Sequence, residues 1–491
     1  MPKTTWVFSS GAVDDGALTL LRADVFQALS QLFEVTVELQ STGNEDDIRA
    51  NLAALLRERA SIASSTAEGE RVWGVLRSIE LVTAAGRGRP TYRAVLVPRL
   101  WYATQMHRSR VFQVVTVPEI AALVFSGLGL RPDEDFRDAL SSSYPAREYV
   151  VQYEETDYAF LSRLLEDEGI AFHFEHGVER EVLVLTDSNG SGMRRPDGFD
   201  HVPYRESAFA EDEAVFQLTH KRKIVPRDVL LADYDWRKPA VSLLSLARVD
   251  EAGRGLFFSS AQHYRDGDHG KRIAEIRAEE LRVERDLYRG RSTMDLRPGD
   301  VFTLEVPGTS HHHPGVDGEY LVLEVKKHID QRFEQPAAER SASEEREHGD
   351  EFVAIRADVT YRPPRTTRKP RIDGVLYATI DGPDLDIPAP IDDEGRYKVI
   401  LPFDLAAEEG GRASRWIRMA QPTSGAGYGM HFPLRPGTEV ILTHVQGDPD
   451  RPIISGAVPN AQTPSPVTRA NATQSVVRTS TGITMEFEDD A

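Results

Sequence analysis

The stretch WIRMAQPTSGAGYGMHFPLRPGTEVILTHVQGDPDRPIISGAVPN, residues 416–460, decides how the chain is read. Val440, Leu442 and His444 alternate with Ile441 and Thr443, the period of a half-buried strand. Gly447-Asp448-Pro449-Asp450-Arg451-Pro452 then makes a turn, because Pro removes a backbone donor and Asp caps neighbouring amides. Ile453-Ile454-Ser455-Gly456-Ala457-Val458 returns as the partner strand. Gly425, Gly427 and Gly429 flank Tyr428 in a loop that needs backbone angles open to glycine. Upstream, Ile372-Asp373-Gly374-Val375-Leu376 and Gly395-Arg396-Tyr397-Lys398-Val399-Ile400 supply further strands. Together these segments predict a compact barrel.

Working outward, 491 residues allow about three domains of ordinary size. A hydrophobic share of 40% with 28% charged residues fits globular protein. No apolar run approaches the ~20 residues needed to span a bilayer as a helix. The start, Met1-Pro2-Lys3-Thr4-Thr5-Trp6-Val7-Phe8, reads as a first strand and not as a signal peptide. This predicts a chain that is made in the cytoplasm and does not use the general export route. The 58 basic and 78 acidic residues give a net charge of −20. That balance argues against nucleic acid as a partner, which would call for dense positive charge. With no cysteine in the chain, disulfides and Cys-based zinc sites are excluded.

The first 100 residues read mostly as strands. Residues 72–82 and 92–97 form two of them around the turn Gly86-Arg87-Gly88-Arg89-Pro90. A helix is expected over 44–59, with Ile48, Leu52, Leu55 and Leu56 on one face. Residues 118–128 read as a second helix. After a strand at 147–153, a third starts at Thr156, places Leu161, Leu164 and Leu165 on one face, and stops at Gly169. Ile170-Ala171-Phe172-His173-Phe174 is the strand that follows. A fourth helix is expected over 271–285, then a Pro298-Gly299 turn and strands at 300–302 and 318–325. Residues 331–351 lack apolar periodicity and read as a mobile surface loop. The basic, Pro-rich run 361–370 reads as a linker.

Three segments carry a family resemblance: residues 416–460, the block 149–170 (YVVQYEETDYAFLSRLLEDEGI), and the helix, Pro-Gly turn and paired strands of 271–327. In this order they resemble the VgrG family, the trimeric spike proteins of type VI secretion systems. Related hub and spike proteins of contractile phage tails share the pattern. The resemblance implies a mainly β fold with α insertions. Residues 1–365 would form a phage-hub-like region of two pseudo-equivalent β-barrels in tandem, with helical insertions near 118–169 and 271–287. Residues 366–462 would form an OB-fold barrel, and 463–491 a neck and the start of a trimeric, triple-stranded β-helix needle.

The function implied is mechanical. The trimer would cap the inner tube, adapt threefold to sixfold symmetry, help puncture target membranes and deliver effectors. The alternative is the spike and hub of a contractile phage tail or extracellular injection particle. Implied partners are two further copies of the chain, a hexameric tube protein, baseplate components, a tip protein or effector, and the target membrane on firing. The chain would be assembled in the cytoplasm and secreted by the apparatus.

In the tail, Ile483, Met485 and Phe487 alternate with Thr484 and Glu486. A strand face this apolar must be covered. These three residues are the candidate interface of the needle. Because the sequence stops at Ala491, just inside that pattern, the spike reads as truncated or minimal, or its needle continues elsewhere.

Catalytic chemistry is not visible. No phosphate-binding loop, nucleophile elbow or His-Glu-x-x-His motif occurs. His311-His312-His313 is the most obvious metal candidate, but consecutive histidines on extended chain point to opposite faces, so a loop is expected. His173 and His176 read as structural. Asp266-Gly267-Asp268-His269-Gly270 lacks the later ligands of a calcium loop and reads as a turn. The interval between Asn460 and Ser475 is too short for a hydrolase domain with two placed carboxylates. Catalytic residues, cofactors and metals are therefore all read as none.

Overall fold

The computed structural model describes residues 5–42, 45–65, 70–83, 89–190, 193–196, 198–205, 213–260, 262–306, 315–331, 349–383, 391–408 and 410–489. The chain divides into two compact units. One comprises residues 1–106, 117–144 and 157–368; the other comprises 107–116, 145–156 and 369–491. The chain thus passes between units at 106/107, 116/117, 144/145, 156/157 and 368/369.

The larger unit is built on one 12-stranded sheet that closes around two cores. Strands Trp6–Ser10, Arg59–Ser64, Arg71–Thr83, Thr91–Val97, Glu34–Ser41 and Leu18–Ala28 follow one another in space and wrap the first core. Phe8, Leu20, Val37, Leu39, Ile62 and Leu96 fill it. The first and last of these strands do not pair, and a side chain spans the gap. The Gln331 amide accepts from Trp6 N–H at 2.7 Å and donates to the carbonyls of Trp6 and Leu20 at 2.9 and 2.8 Å. Gln331, expected at the start of a mobile loop, is fixed in the barrel seam. Asp350 and Glu351, expected at the loop's other end, lie in the strand Asp350–Arg356. The intervening 332–348 lies outside the described residues, as does the triple-histidine run.

The 13-residue strand Gly318–Asp330 belongs to both barrels. Its second half pairs with Leu18–Ala28, while its first half pairs with Val301–Glu305 and Asp350–Arg356. Asp286–Ser292 and Val215–Arg222 continue the second barrel, and a bridge from Tyr204 to Val215 closes it. Phe302, Tyr320 and Phe352 dominate its core, with the Phe302 and Phe352 rings edge to face at 5.8 Å.

A buried ion cluster ties the two barrels together. The Lys327 ammonium lies 2.7 Å from Glu70, in hydrogen-bond contact with Asp295, and 3.7 Å from Asp350. Burial opposes the charge on Lys327, but the carboxylates outweigh it and hold its pKa above the ordinary value. Burial pushes Glu70 up to about 7 and Asp350 up to about 6, against the pull of Lys327. A carboxyl raised above its unfolded value stabilises the fold in its protonated form. That contribution is complete below the unfolded pKa and is lost as pH rises through the folded one. Glu70→Gln removes the titration, so its stability relative to the parent chain should increase between about pH 5 and pH 8. Denaturant melts of both proteins across that range provide the check, and a constant or shrinking difference would contradict the assignment.

Among the described residues, five α-helices decorate the sheets: α1 (Glu45–Ala50), α2 (Leu52–Leu55), α3 (Val117–Gly127), α4 (Asp157–Glu168) and α5 (Gly267–Val283). The single helix expected over 44–59 is instead two short pieces broken at Asn51. Ile48 and Leu55 still reach the first core. Residues from Arg59 onward are claimed by strand pairing with Arg71–Val75, which ends the helical run. Asp266, read as part of a turn, is the N-cap of α5 and accepts the His269 N–H at 2.8 Å. Gly169 ends α4 at φ 70°, and the Ile170 N–H bonds back to Leu165 at 2.9 Å. A Cβ there would also lie 2.7 Å from Ile276 on α5, so turn and packing both require glycine.

In the smaller unit, Lys398–Ile400, Leu376–Asp381, Glu439–His444 and Pro452–Ala457 form an antiparallel sheet. Bridges from Tyr397 to Ile417 and from Met419 to Ile454 curl it around Ile380, Val399, Val440, Leu442 and Ile454. The protein is therefore mainly β, with helical insertions on a tandem-barrel hub and an OB-type barrel.

Candidate assembly interfaces

The motif turn at 447–452 does more than reverse the chain. Gly447 takes φ 74°, and the Asp448 carboxylate accepts the Asp450 N–H at 2.9 Å. Asp450, 4% exposed, accepts the Val151 N–H at 2.6 Å and pairs with Lys369 at 2.6 Å. Lys369 also lies 2.6 Å from Asp448. Val151 sits on the hairpin His107–Val115 with Arg147–Thr156, which the chain inserts into this unit from far upstream. Further contacts seat that hairpin on the barrel. Val111 packs on its core, the Tyr153 and Phe403 rings lie 5.7 Å apart, and the Arg415 guanidinium lies 5.1 Å from the Tyr149 ring centroid. The block 149–170 thus serves both units, its strand in one and α4 in the other. Aspartate in the turn was legible from sequence as a cap. Its bond to a strand 299 residues away was not.

The basic run after 360, read as a linker, is pinned down. Tyr361 is buried, and its backbone N–H donates to the Asn189 Oδ1 at 3.0 Å. Arg362 donates to the Gly169 and Asp187 carbonyls at 2.9 and 2.8 Å and pairs with Glu279 at 2.7 Å. Thr367 binds Glu166 through its backbone and hydroxyl at 3.0 and 2.7 Å. The arginines that suggested a linker instead answer carboxylates on α5 and the carbonyl of Gly169 at the end of α4.

The tail forms a hairpin, Gln474–Arg478 against Thr484–Glu488. A single tail strand beginning near Ser475 was expected; the chain instead turns back between Arg478 and Thr484 and makes two. Val477 lies opposite Met485, and Ser475 opposite Phe487. Ile483, Met485 and Phe487 share one face and are 73%, 59% and 58% exposed. A lone two-stranded hairpin is marginal in water, and this one carries its apolar face uncovered.

Of the other sequence candidates, His173 and His176 lie within the larger unit. His173 is buried, and His176 Nδ1 accepts the Trp73 N–H at 3.1 Å. Burial brings His176 down to about 3, so its imidazole stays neutral. Among the described residues no helix is long and apolar enough to cross a membrane.

Comparison with known proteins agrees with this architecture. The family model described as phage tail baseplate hub (GPD) matches residues 27–333, more than half of the chain. The type VI secretion system/phage-baseplate injector OB domain matches residues 390–458. The type VI secretion system spike protein VgrG1b of Pseudomonas aeruginosa is 33% identical over 93% of this chain and 61% of its own length. VgrG1a of the same organism is 32% identical over 93% of this chain and 70% of its own. The chain thus spans about three fifths of the length of VgrG1b. A solved Escherichia coli component of the type VI secretion system, described as structurally similar to the T4 bacteriophage tail proteins gp27 and gp5, superposes with a TM-score of 0.66. It is 23% identical and covers 92% of this chain and 99% of its own, a likeness of fold. With hub and OB models matching in order and spike proteins aligned along nearly all of the sequence, the chain belongs to the VgrG family.

Proposed function

We propose that the protein is the spike and hub subunit of a type VI-like contractile injection system and works as a homotrimer. The observation that carries this is the match of hub and OB models in one chain whose tail hairpin exposes Ile483, Met485 and Phe487. Three copies can cover one another's tail faces at a threefold axis, which makes these residues the needle interface. Residues 463–491 act as neck and needle start, after the OB barrel at 366–462 and the hub at 1–365. The trimer caps a hexameric tube, matching threefold to sixfold symmetry, and sits among baseplate components. On firing it carries a tip protein or effector through the target membrane.

The action is mechanical, and no catalytic group, cofactor or nucleic acid is assigned to it. Force applied to one unit reaches the other through five chain crossings, where a simple tandem would have one. Assembly is cytoplasmic, and the apparatus itself exports the protein. Deleting the gene in the source cell should stop release of both this chain and the tube protein into the medium without changing lysis. Continued tube release in its absence would refute the assignment.

A further inference from the structure

The three-stranded sheet Leu243–Arg248, Asp228–Asp233 and Leu256–Ser260 is apolar on both faces. Alternation sends Val229, Leu231, Leu243 and Ala247 inward, where they pack with Ile273, Ala274 and Ile276 of α5. The other face carries Leu230, Ala232, Leu244, Leu246, Leu256 and Phe258. Register aligns Leu246, Leu230 and Phe258 in one row across all three strands, and Leu244 beside Ala232 in the next. Leu244, Leu246, Leu256 and Phe258 are 61%, 62%, 54% and 58% exposed. An ordinary outward sheet face carries polar residues at these positions. The charges on this face, Asp228 and Arg248, neutralise each other at 2.6 Å.

We propose that this face is a protein interface occupied by a neighbouring copy of the same chain, a reading that rests on the homotrimer above. Three observations favour that occupant. The face is an open sheet surface backed by a packed helix, not a concave pocket lined for a small ligand. Its four most exposed side chains present roughly 100 Å² each, about half of one side of a standard interface at ~800 Å² per partner. It is charge-neutral in a chain of net charge −20, so a docking copy of that acidic chain meets no like charge on this face. Association through the tail would hold neighbours at high local concentration, and a modest second apolar contact then suffices to close. In a threefold ring the contact is heterologous, this face meeting a different surface of the next copy.

The cysteine-free chain allows a direct test. Leu246→Cys and, as an exposed control, Val178→Cys are introduced singly into the full chain, Val178 being 84% exposed. Maleimide labelling is timed on samples whose mass is followed by light scattering. Leu246→Cys should react at least ~10-fold more slowly than Val178→Cys in the trimer and at a similar rate after dilution to monomer. Phe258→Glu should raise the concentration at the midpoint of assembly at least ~10-fold with an unchanged circular dichroism spectrum. A trimer in which Leu246→Cys labels as fast as the control, or in which Phe258→Glu leaves the midpoint unchanged, overturns the proposal and leaves the trimer standing. Protection that requires an added tube or effector protein overturns the choice of occupant. A chain that stays monomeric at every concentration defeats the homotrimer and this interface together.

Discussion

Replacing Lys327 by methionine is expected to destabilise the hub unit by ~3 kcal/mol or more, the scale on which removing one partner of a buried ion pair acts. The side chain is 4% exposed and answers Glu70, Asp295 and Asp350. Methionine fills much of its volume but leaves three carboxylates with Arg297 as the nearest opposing charge; Arg297 lies 3.0 Å from Asp295. Those groups come from both barrels, so the loss falls on their junction. Adding Glu70→Gln should recover at least ~1 kcal/mol by removing one of the stranded acids. Guanidinium unfolding of the three proteins measures both effects. A Lys327→Met change smaller than ~1 kcal/mol would show that water or neighbouring groups already neutralise the cluster.

The second large effect is expected at Asp450. Alanine there removes the carboxylate that accepts the Val151 N–H and that pairs with Lys369. Because Asp450 is buried and charged, the loss should reach ~3 kcal/mol. At this unit's size that lowers its melting temperature by roughly 6–12 °C. Hydrogen exchange should accelerate first along Arg147–Thr156, ahead of the barrel strands. Exchange that speeds up evenly over the unit would mean that the turn serves the barrel alone.

These two sites mark where sequence reasoning stopped. Periodicity exposed the OB strands, because Val440 and Leu442 alternate cleanly and fall on the buried side. It exposed α4 for the same reason, with Leu161, Leu164 and Leu165 buried and Gly169 at positive φ. The ion cluster was invisible. Glu70, Asp295, Lys327 and Asp350 are ordinary charged residues far apart in the chain, and only barrel closure brings them together. Composition misled at Gln331 and at the arginines after 360, where polar residues make specific bonds across a seam or to helix ends. The outer apolar face of residues 228–260 escaped notice because adjacent leucines and phenylalanines obscure a period of two. The tail was half legible. Ile483, Met485 and Phe487 share a face as alternation requires, but the turn that folds the expected single strand into a hairpin was missed.

The central claim is that three chains act as one spike, and the mass of the purified protein in solution addresses it most directly. One chain weighs 54.8 kDa. Light scattering coupled to size exclusion at micromolar concentration should give about three times that mass, roughly 164 kDa, as threefold closure requires. A stable species at the mass of a single chain under the same conditions would contradict the account.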